Sequence, residues 1–264
     1  MQNFDLTFFT RTRQRLAPRA TRTTLPAPAA HYNAIDTMAA QYSAINTIFF
    51  DVGNTLLFPN RPRIHARLSD RGLTCDPQHL RDLEARIKNR FDALMIADGN
   101  HDHGFWRMFY TQLFAEIGLH DDELRDHCVA CVRDSGNWDQ ILPGTREELQ
   151  RIAERYRIAV ISNADGRIRD VLRRCGIADC FLTITDSGLV GHEKPHPEIF
   201  RVAMQSLGAT PHQSLYLGDV YSVDYLGATG AGMQAVLMDV PGAYKQRGVP
   251  RVESLAELRA LLAA

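Results

Sequence analysis

From Ile158 onwards the chain alternates short apolar runs with amphipathic segments, and this alternation restricts the fold more than any other feature. Four runs have the length and composition of buried strands: IAVISN, FLTITD, SLYLGD and AVLMD. A fifth, TIFFD at residues 47–51, lies far upstream of them. Strands that alternate with helices through short loops form a parallel sheet with helices on both faces. The sequence therefore predicts a doubly wound α/β fold with right-handed crossovers.

A long helical region separates the first predicted strand from the others. Residues 79–97 carry apolar side chains at helical spacing, and two further amphipathic stretches follow, FWRMFYTQLFAEIGL and DDELRDHCVACVRD. We expect an α/β core formed by residues 45–59 and 139–264, with residues 60–138 as a helical insertion. Residues 1–44 hold five arginines but only two aspartates, and we expect them to be a disordered or non-essential extension.

Composition excludes several classes of partner. Thirty basic residues stand against 31 acidic ones, so no global field attracts nucleic acid or a membrane surface. No stretch approaches the roughly 20 apolar residues of a membrane span. An odd number of cysteines, five, without a secretory signal indicates free thiols in a reducing compartment. We expect a cytoplasmic protein, monomeric or homodimeric, that acts on a small molecule.

Polar residues stand at the ends of three predicted core strands. Asp51 ends the first strand, Ser162 and Asn163 end the second, and Asp219 ends the fourth. Ligands of open parallel sheets bind beyond the carboxyl ends of the strands, so these side chains should meet there. Lys194, one of three lysines in the chain, lies on a proline-stiffened loop that we place at the same edge. Carboxylates, a hydroxyl and an ammonium group together suit Mg²⁺ and phosphate.

Four motifs occur in a characteristic order between Thr47 and Leu262: FFDVGNTLL, VISN, the lysine of EKPHPEIF, and LGDVYSVDYLGATGAGM. In this order and strand context, the chain resembles the haloacid dehalogenase-like hydrolase superfamily, whose members are mostly phosphatases. The resemblance implies a Rossmann-like core. It also implies that the helical insertion is a cap, which closes the site and selects the substrate.

The resemblance assigns a role to each matching residue. Asp51 would be the nucleophile that forms an aspartyl-phosphate. Hydrogen bonds to the phosphoryl group would come from Thr55, Ser162 and the backbone of the loop after Asp51, and Lys194 would offset negative charge. Asn54 and Asn163 would bind substrate. The ligands of Mg²⁺ would be Asp51, the carbonyl of Gly53, Asp219 and, in the first or second shell, Asp224.

Gly53 departs from the pattern of the family's phosphatases. These enzymes carry a second aspartate at this position, which protonates the leaving group and then activates water. A missing general acid typically costs ~10²–10⁴ in rate. Another residue could supply the proton, with His192, His101 and His103 as candidates. Alternatively the substrate could be an acyl phosphate that needs little protonation, or the domain could be nearly inactive and serve in binding.

Two other activities of the superfamily also occur without the second aspartate. Haloacid dehalogenases work without metal and usually lack the acid that corresponds to Asp219. Phosphonoacetaldehyde hydrolases keep magnesium and form a Schiff base on a cap lysine. Lys88 is the only lysine of the predicted insertion, but its charged surroundings, ARIKNR, favour a solvated position. We likewise expect His65 on the surface. A Mg²⁺-dependent phosphohydrolase of a small metabolite is the function that the sequence favours.

Overall fold

The computed structural model describes residues 42–98 and 104–263. The predicted extension lies outside the described residues except for positions 42–44, and so do the two candidate acids His101 and His103. Within the described part of the chain, no helix combines the length and the apolar character needed to cross a membrane.

A six-stranded parallel sheet forms the centre of the protein, which confirms the predicted α/β fold. Its strand order is β5-β4-β1-β6-β7-β8. The strands are β1 (Thr47–Phe50), β4 (Arg157–Ser162), β5 (Ile184–Asp186), β6 (Ser214–Gly218), β7 (Gln234–Met238) and β8 (Arg251–Val252). Because β4 and β6 extend the sheet in opposite directions from β1, a crevice opens beyond the carboxyl end of β1.

Both faces of the sheet are buried, which explains why its strands are continuous apolar runs. Ile48 and Phe50 of β1 pack in one apolar cluster with residues of the neighbouring strands. Phe49 points to the other face and packs with Phe200 and Tyr216. Charged side chains in these six strands therefore stand only at the first or last position of a strand.

Eleven α-helices lie in the described part of the chain. The first five precede β4 in a helical insertion: α1 (Arg61–Ile64), α2 (Ala66–Ser69), α3 (Pro77–Asp98), α4 (Phe105–Glu116) and α5 (Asp122–Arg133). The other six belong to the core: α6 (Thr145–Ala153), α7 (Ile168–Arg174), α8 (Ser187–Val190), α9 (Pro197–Leu207), α10 (Leu226–Gly230) and α11 (Leu255–Ala263). The term "insertion" refers below to α1–α5.

The chain enters and leaves the insertion through a small two-stranded antiparallel sheet. Its strands are β2 (Leu57–Phe58) and β3 (Gln140–Ile141), and Leu57 pairs with Ile141. The insertion has its own apolar core, in which Phe109, Tyr110 and Leu113 of α4 are fully buried. The insertion thus packs around its own core, and the chain enters and leaves it at one place.

His65 lies in the core of the insertion, so our expectation of a surface position was wrong. Its Nε2 lies 3.1 Å from the hydroxyl of Tyr110. Burial, with a smaller contribution from Arg61, lowers the pKa of His65 to about 4. The ring is therefore neutral near pH 7, and it acts as a packing residue and hydrogen-bond partner.

Candidate active site

Asp51 follows β1 directly and begins a tight loop. The amide groups of residues 55–57 all point to the carbonyl of Val52, and the amide of Asn54 donates to the carbonyl of Leu57 at 2.8 Å. Asn54 adopts a φ of 51°, a left-handed conformation that asparagine tolerates better than most residues. The loop thus holds the Asp51 carboxylate, which is almost fully buried, at the carboxyl edge of the sheet.

Two further carboxylates, Asp219 and Asp224, reach this edge from the end of β6 and from the π-helical turn after it. Asp219 follows β6, and the turn, Tyr221–Tyr225, directs Asp224 back towards it. One oxygen of Asp224 accepts hydrogen bonds from the amides of Asp219 and Val220, at 3.0 and 2.9 Å. Gly218 permits this approach, because a Cβ atom there would lie 2.5 Å from the carboxyl carbon of Asp224.

Lys194 reaches the same point from the loop before α9. Its Nζ lies 2.6 Å from Asp51 Oδ1, 2.7 Å from Asp224 Oδ1 and 2.7 Å from the Tyr216 hydroxyl. Asn163 fixes the loop, since its amide group bonds the backbone N–H and C=O of Lys194 at 2.7 and 2.9 Å. Tyr216 was missed by the sequence reasoning because it stands within an apolar strand, where nothing marks its hydroxyl as functional.

Lys88 of the insertion also enters the site, and our expectation of a solvated lysine was wrong. Its side chain is 1% exposed, and its Nζ lies 2.7 Å from Asp219 Oδ2 and 3.5 Å from Glu84 Oε1. Burial alone would lower the pKa of Lys88, but the Asp219 and Glu84 carboxylates outweigh burial and raise it. The group is therefore an ammonium ion. Glu84 in turn accepts a hydrogen bond from Asn54 at 2.9 Å.

The carboxylates of Asp51, Asp219 and Asp224 form a compact cluster that suits a divalent cation. One oxygen from each can be chosen so that all three lie within 4.8 Å of one another. Lys194 and Lys88 face this cluster, so three carboxylates share two ammonium groups. Magnesium prefers carboxylate oxygens, and it would offset the remaining negative charge. The donor set thus fits Mg²⁺.

Burial raises the pKa of two carboxyl groups of this cluster, Asp51 and Asp219. It raises the pKa of Asp51 to about 7, although Lys194 acts in the opposite direction. It raises the pKa of Asp219 to about 6, against the opposing effect of Lys88. These shifts have a common cause, since charged oxygens have been removed from water into a crowded anionic site.

A cavity of about 410 Å³ opens between these residues and the insertion. The core contributes Asp51, Ser162, Lys194 and other residues of the strand ends to its lining. The insertion and the linker after it contribute mainly apolar side chains, together with one arginine and one serine: Phe91, Phe105, Trp106, Val132, Arg133, Ser135 and Trp138. One wall of the cavity is therefore polar and anionic, while the opposite wall is largely aromatic.

Trp138 occupies the space in front of Gly53. A Cβ atom added to Gly53 would lie 3.2 Å from an indole carbon of Trp138. The indole Nε1 donates to the carbonyl of Val132 at 2.7 Å, and the ring contacts Trp106 edge to face. The indole is thus held in place, and a larger residue at position 53 would crowd it. Sequence reasoning did not find this pairing, because 85 positions separate the two residues.

Three further candidates take different positions. Ser162 is buried and lines the cavity. Thr55 is buried beneath the loop, with its hydroxyl 3.4 Å from Asp51 Oδ2. His192, a candidate acid, is exposed and stacks on His196 outside the residues that line the cavity.

Comparison with known proteins gives this arrangement a family. A family model described as haloacid dehalogenase-like hydrolase matches residues 45–232. The chain belongs to this family. As a haloacid dehalogenase-like hydrolase, it is similar to haloacid dehalogenase-like hydrolase domain-containing protein 3 of Xenopus laevis, at 31% identity over 72% of this chain and 83% of the relative. It is also 27% identical to pyrimidine 5'-nucleotidase YjjG of Escherichia coli, over 81% of this chain and 96% of that one.

A solved structure shares the fold of this hydrolase. The HAD-hydrolase YfnB of Bacillus subtilis, bound to magnesium, aligns with a TM-score of 0.59 at 19% identity. The alignment covers 83% of this chain and 99% of YfnB. This likeness supports the α/β architecture, and the family model confirms the superfamily that the motifs indicated.

Proposed function

We propose that this hydrolase is a Mg²⁺-dependent phosphohydrolase of a small phosphorylated metabolite, with Asp51 as the nucleophile. The observation that carries the proposal is the buried Lys194 ammonium group, which lies between Asp51 and Asp224 at 2.6 and 2.7 Å. A carboxylate can attack a phosphate dianion only where fixed positive charge offsets the repulsion between them. Lys194 and a cation at the carboxylate cluster would supply that charge.

In this mechanism the protein mainly positions charged groups. Asp51 attacks phosphorus to give an aspartyl-phosphate, and water then releases inorganic phosphate and regenerates the carboxylate. Ser162 donates a hydrogen bond to a phosphoryl oxygen. Asp51, the Gly53 carbonyl and Asp219 would hold Mg²⁺, which supplies Lewis acidity and charge neutralisation when it is bound.

Four polar residues support this machinery. The contact between Thr55 and Asp51 supports a role of the Thr55 hydroxyl in orienting the nucleophile, and we propose that the same hydroxyl also binds phosphate. Asn54 and Asn163 were predicted to bind substrate, and their contacts suggest positioning roles as well. Asn54 bonds Glu84 of the insertion, and Asn163 bonds the backbone of Lys194. Asp224 completes the set, since it orders the turn after β6 and completes the carboxylate cluster.

The insertion would act as the cap of this enzyme, within the boundaries 60–138. It covers the carboxyl end of the sheet and provides the aromatic wall of the cavity. A Schiff-base function of Lys88 is disfavoured, because a nucleophilic amine must be unprotonated and Lys88 is held as an ammonium ion by Asp219.

The direct test is turnover by purified protein with and without divalent metal. We expect hydrolysis of at least one compound in a panel of phosphomonoesters and acyl phosphates with Mg²⁺, loss of that activity with EDTA, and its return when Mg²⁺ is restored. If no phosphate compound is hydrolysed but ligands still bind, the domain would be a binding module. Release of halide from 2-haloacids without metal would indicate a dehalogenase instead.

The variant Gly53→Asp tests whether restoring the missing carboxylic acid can increase turnover. We expect the substitution to lower turnover rather than raise it, because the new side chain meets the anchored Trp138 indole. Overpacking of this kind costs about 1–3 kcal/mol of unfolding free energy. Kinetic assays and urea unfolding of the variant measure both effects.

Two alanine variants separate crowding from chemistry. Gly53→Ala should lose stability in the same direction as Gly53→Asp, while Gly230→Ala should not, because position 230 has open space around it. Higher phosphoester turnover in Gly53→Asp than in wild type would contradict this expectation. It would show that the Trp138 indole can move aside and that only the carboxylate had limited the rate.

A further inference from the structure

We propose that the preferred substrates are aryl phosphates, in which the phosphate is esterified to the oxygen of a phenol. This inference rests on the proposed phosphohydrolase function and names its substrate class. Two independent features carry it: the engagement of the cavity's described aspartates and lysine in other contacts, and an aromatic wall at the place where the family's proton donor would stand.

Among the described residues that line the cavity, the four aspartates are all engaged in other roles. Asp51, Asp219 and Asp224 are the proposed nucleophile and metal site. Asp165 bonds the Ser135 hydroxyl at 2.6 Å and pairs with Arg167. Although burial acts in the opposite direction, these contacts lower the pKa of Asp165 to about 2. It is therefore a carboxylate near pH 7.

Two cationic groups also line the cavity, and neither gives up a proton readily. Lys194 is shared among two carboxylates and the Tyr216 hydroxyl, so its protons are already engaged. Arg133 carries a guanidinium group, which is a poor proton donor to a leaving group. Glu193 lines the cavity as well, and its side chain is exposed. With the described residues, the site therefore favours leaving groups that depart as anions, because their oxygens carry negative charge well.

The aromatic wall would contact the leaving group of the substrate. Phe91, Phe105, Trp106 and Trp138 form an edge-to-face series, with ring centroids 5.7, 4.9 and 5.6 Å apart. The last three remain partly exposed. Because Trp138 faces Gly53, its indole lies where the family's general acid would approach the leaving group. An aromatic ring bound there packs favourably, whereas sugar or polyol hydroxyls would lose water without gaining partners.

The chemistry balances without an acid. The Asp51 carboxylate forms a bond to phosphorus, the bond between phosphorus and the aryl oxygen breaks, and the electron pair leaves on a phenolate. The phenolate takes its proton from water. A phenol has a pKa of about 10, far below that of an alkyl alcohol, so the same step is much slower for alkyl esters.

Four substrates separate the contribution of the ring from that of the leaving group. Phenyl phosphate has a ring and a phenol leaving group, whereas benzyl phosphate has a ring but an alkyl leaving group. Acetyl phosphate has a good leaving group without a ring, and ethyl phosphate has neither. We expect kcat/KM for phenyl phosphate to exceed that for benzyl phosphate by about tenfold or more. Ethyl phosphate should be the poorest of the four.

Trp106→Leu isolates the contribution of the wall. The variant should lower kcat/KM for the two ring-bearing esters by about fivefold and leave acetyl phosphate hydrolysis unchanged. Trp106→Phe, which keeps a ring, should restore most of the loss. Equal kcat/KM for phenyl and benzyl phosphate, or an equal loss on acetyl phosphate in Trp106→Leu, would overturn the proposal while leaving the phosphohydrolase function intact. Failure to hydrolyse any of the four would overturn both.

Binding provides a readout that does not need turnover. The sequence contains two tryptophans, and both line the cavity. In the Asp51→Asn protein, 4-nitrophenyl phosphate should quench tryptophan fluorescence at concentrations where methyl phosphate has no effect. The absence of such quenching would show that the ring does not reach the aromatic wall, and the proposal would fall.

Discussion

Asp51→Asn is expected to lower phosphate ester hydrolysis by roughly a thousandfold or more, because the amide cannot attack phosphorus. The fold should survive. Lys194 keeps its contacts with Asp224 and Tyr216, and the buried site loses a charge that is costly to desolvate. Steady-state kinetics with Mg²⁺ and a phenyl phosphate measure the loss, and thermal unfolding checks the fold.

Asp170→Asn is the matched control for this variant. Asp170 is exposed on α7, pairs with Arg173 on the same helix and does not line the cavity. It should retain full turnover. Quenched reactions of the wild-type protein should also show hydroxylamine-sensitive phosphorylation of Asp51 by mass spectrometry. If Asp51→Asn retained activity within about tenfold of wild type, the nucleophile would have to be another residue.

Lys88→Met is expected to lower the free energy of unfolding by about 3–5 kcal/mol in metal-free buffer. Removing one partner of a buried ion pair leaves the others uncompensated, here Asp219 and Glu84. Because Mg²⁺ would replace part of the missing positive charge, it should stabilise this variant more than the wild type. Urea unfolding and thermal shifts, each with EDTA or Mg²⁺, measure both effects.

Lys245→Met is the control that the chain itself offers. It removes the same charge from an exposed position, and surface ion pairs contribute little to stability. Its stability should match wild type with and without Mg²⁺. If Lys88→Met behaved in the same way as Lys245→Met, the contact between Lys88 and Asp219 would have no energetic role.

The sequence predicted the core of the site well because strand ends have a distinctive pattern. Asp51 and Asp219 each follow an apolar run, and parallel strands bring such ends together whatever their separation in the chain. Lys194 could be placed because its loop precedes a helix at the same edge. The short strands β2, β3 and β8 were not predicted, since two residues carry no usable periodicity.

The contributions of the insertion could not be predicted in the same way. Lys88 stands among charged residues on a helix, and a sequence does not reveal whether that face meets solvent or another layer. Glu84 and Lys88, four residues apart, match the spacing of an ordinary surface ion pair. From the sequence alone, Trp138 is an apolar residue in a linker, with nothing to indicate a place in the site. Its relation to Gly53 depends on how the linker folds back over the loop after β1.

Helix α3 contacts three separate parts of the core through side chains spaced four residues apart. Glu84 bonds Asn54, Lys88 pairs with Asp219, and Asp92 accepts the amide hydrogen of Ser222 at 2.8 Å. An α-helix rises 1.5 Å per residue, so these contacts span about 12 Å of one stiff rod. A tilt of that rod disrupts them together rather than one at a time. We therefore expect any opening of the cavity on this side to break the three contacts together, and weakening one of them should make such opening easier.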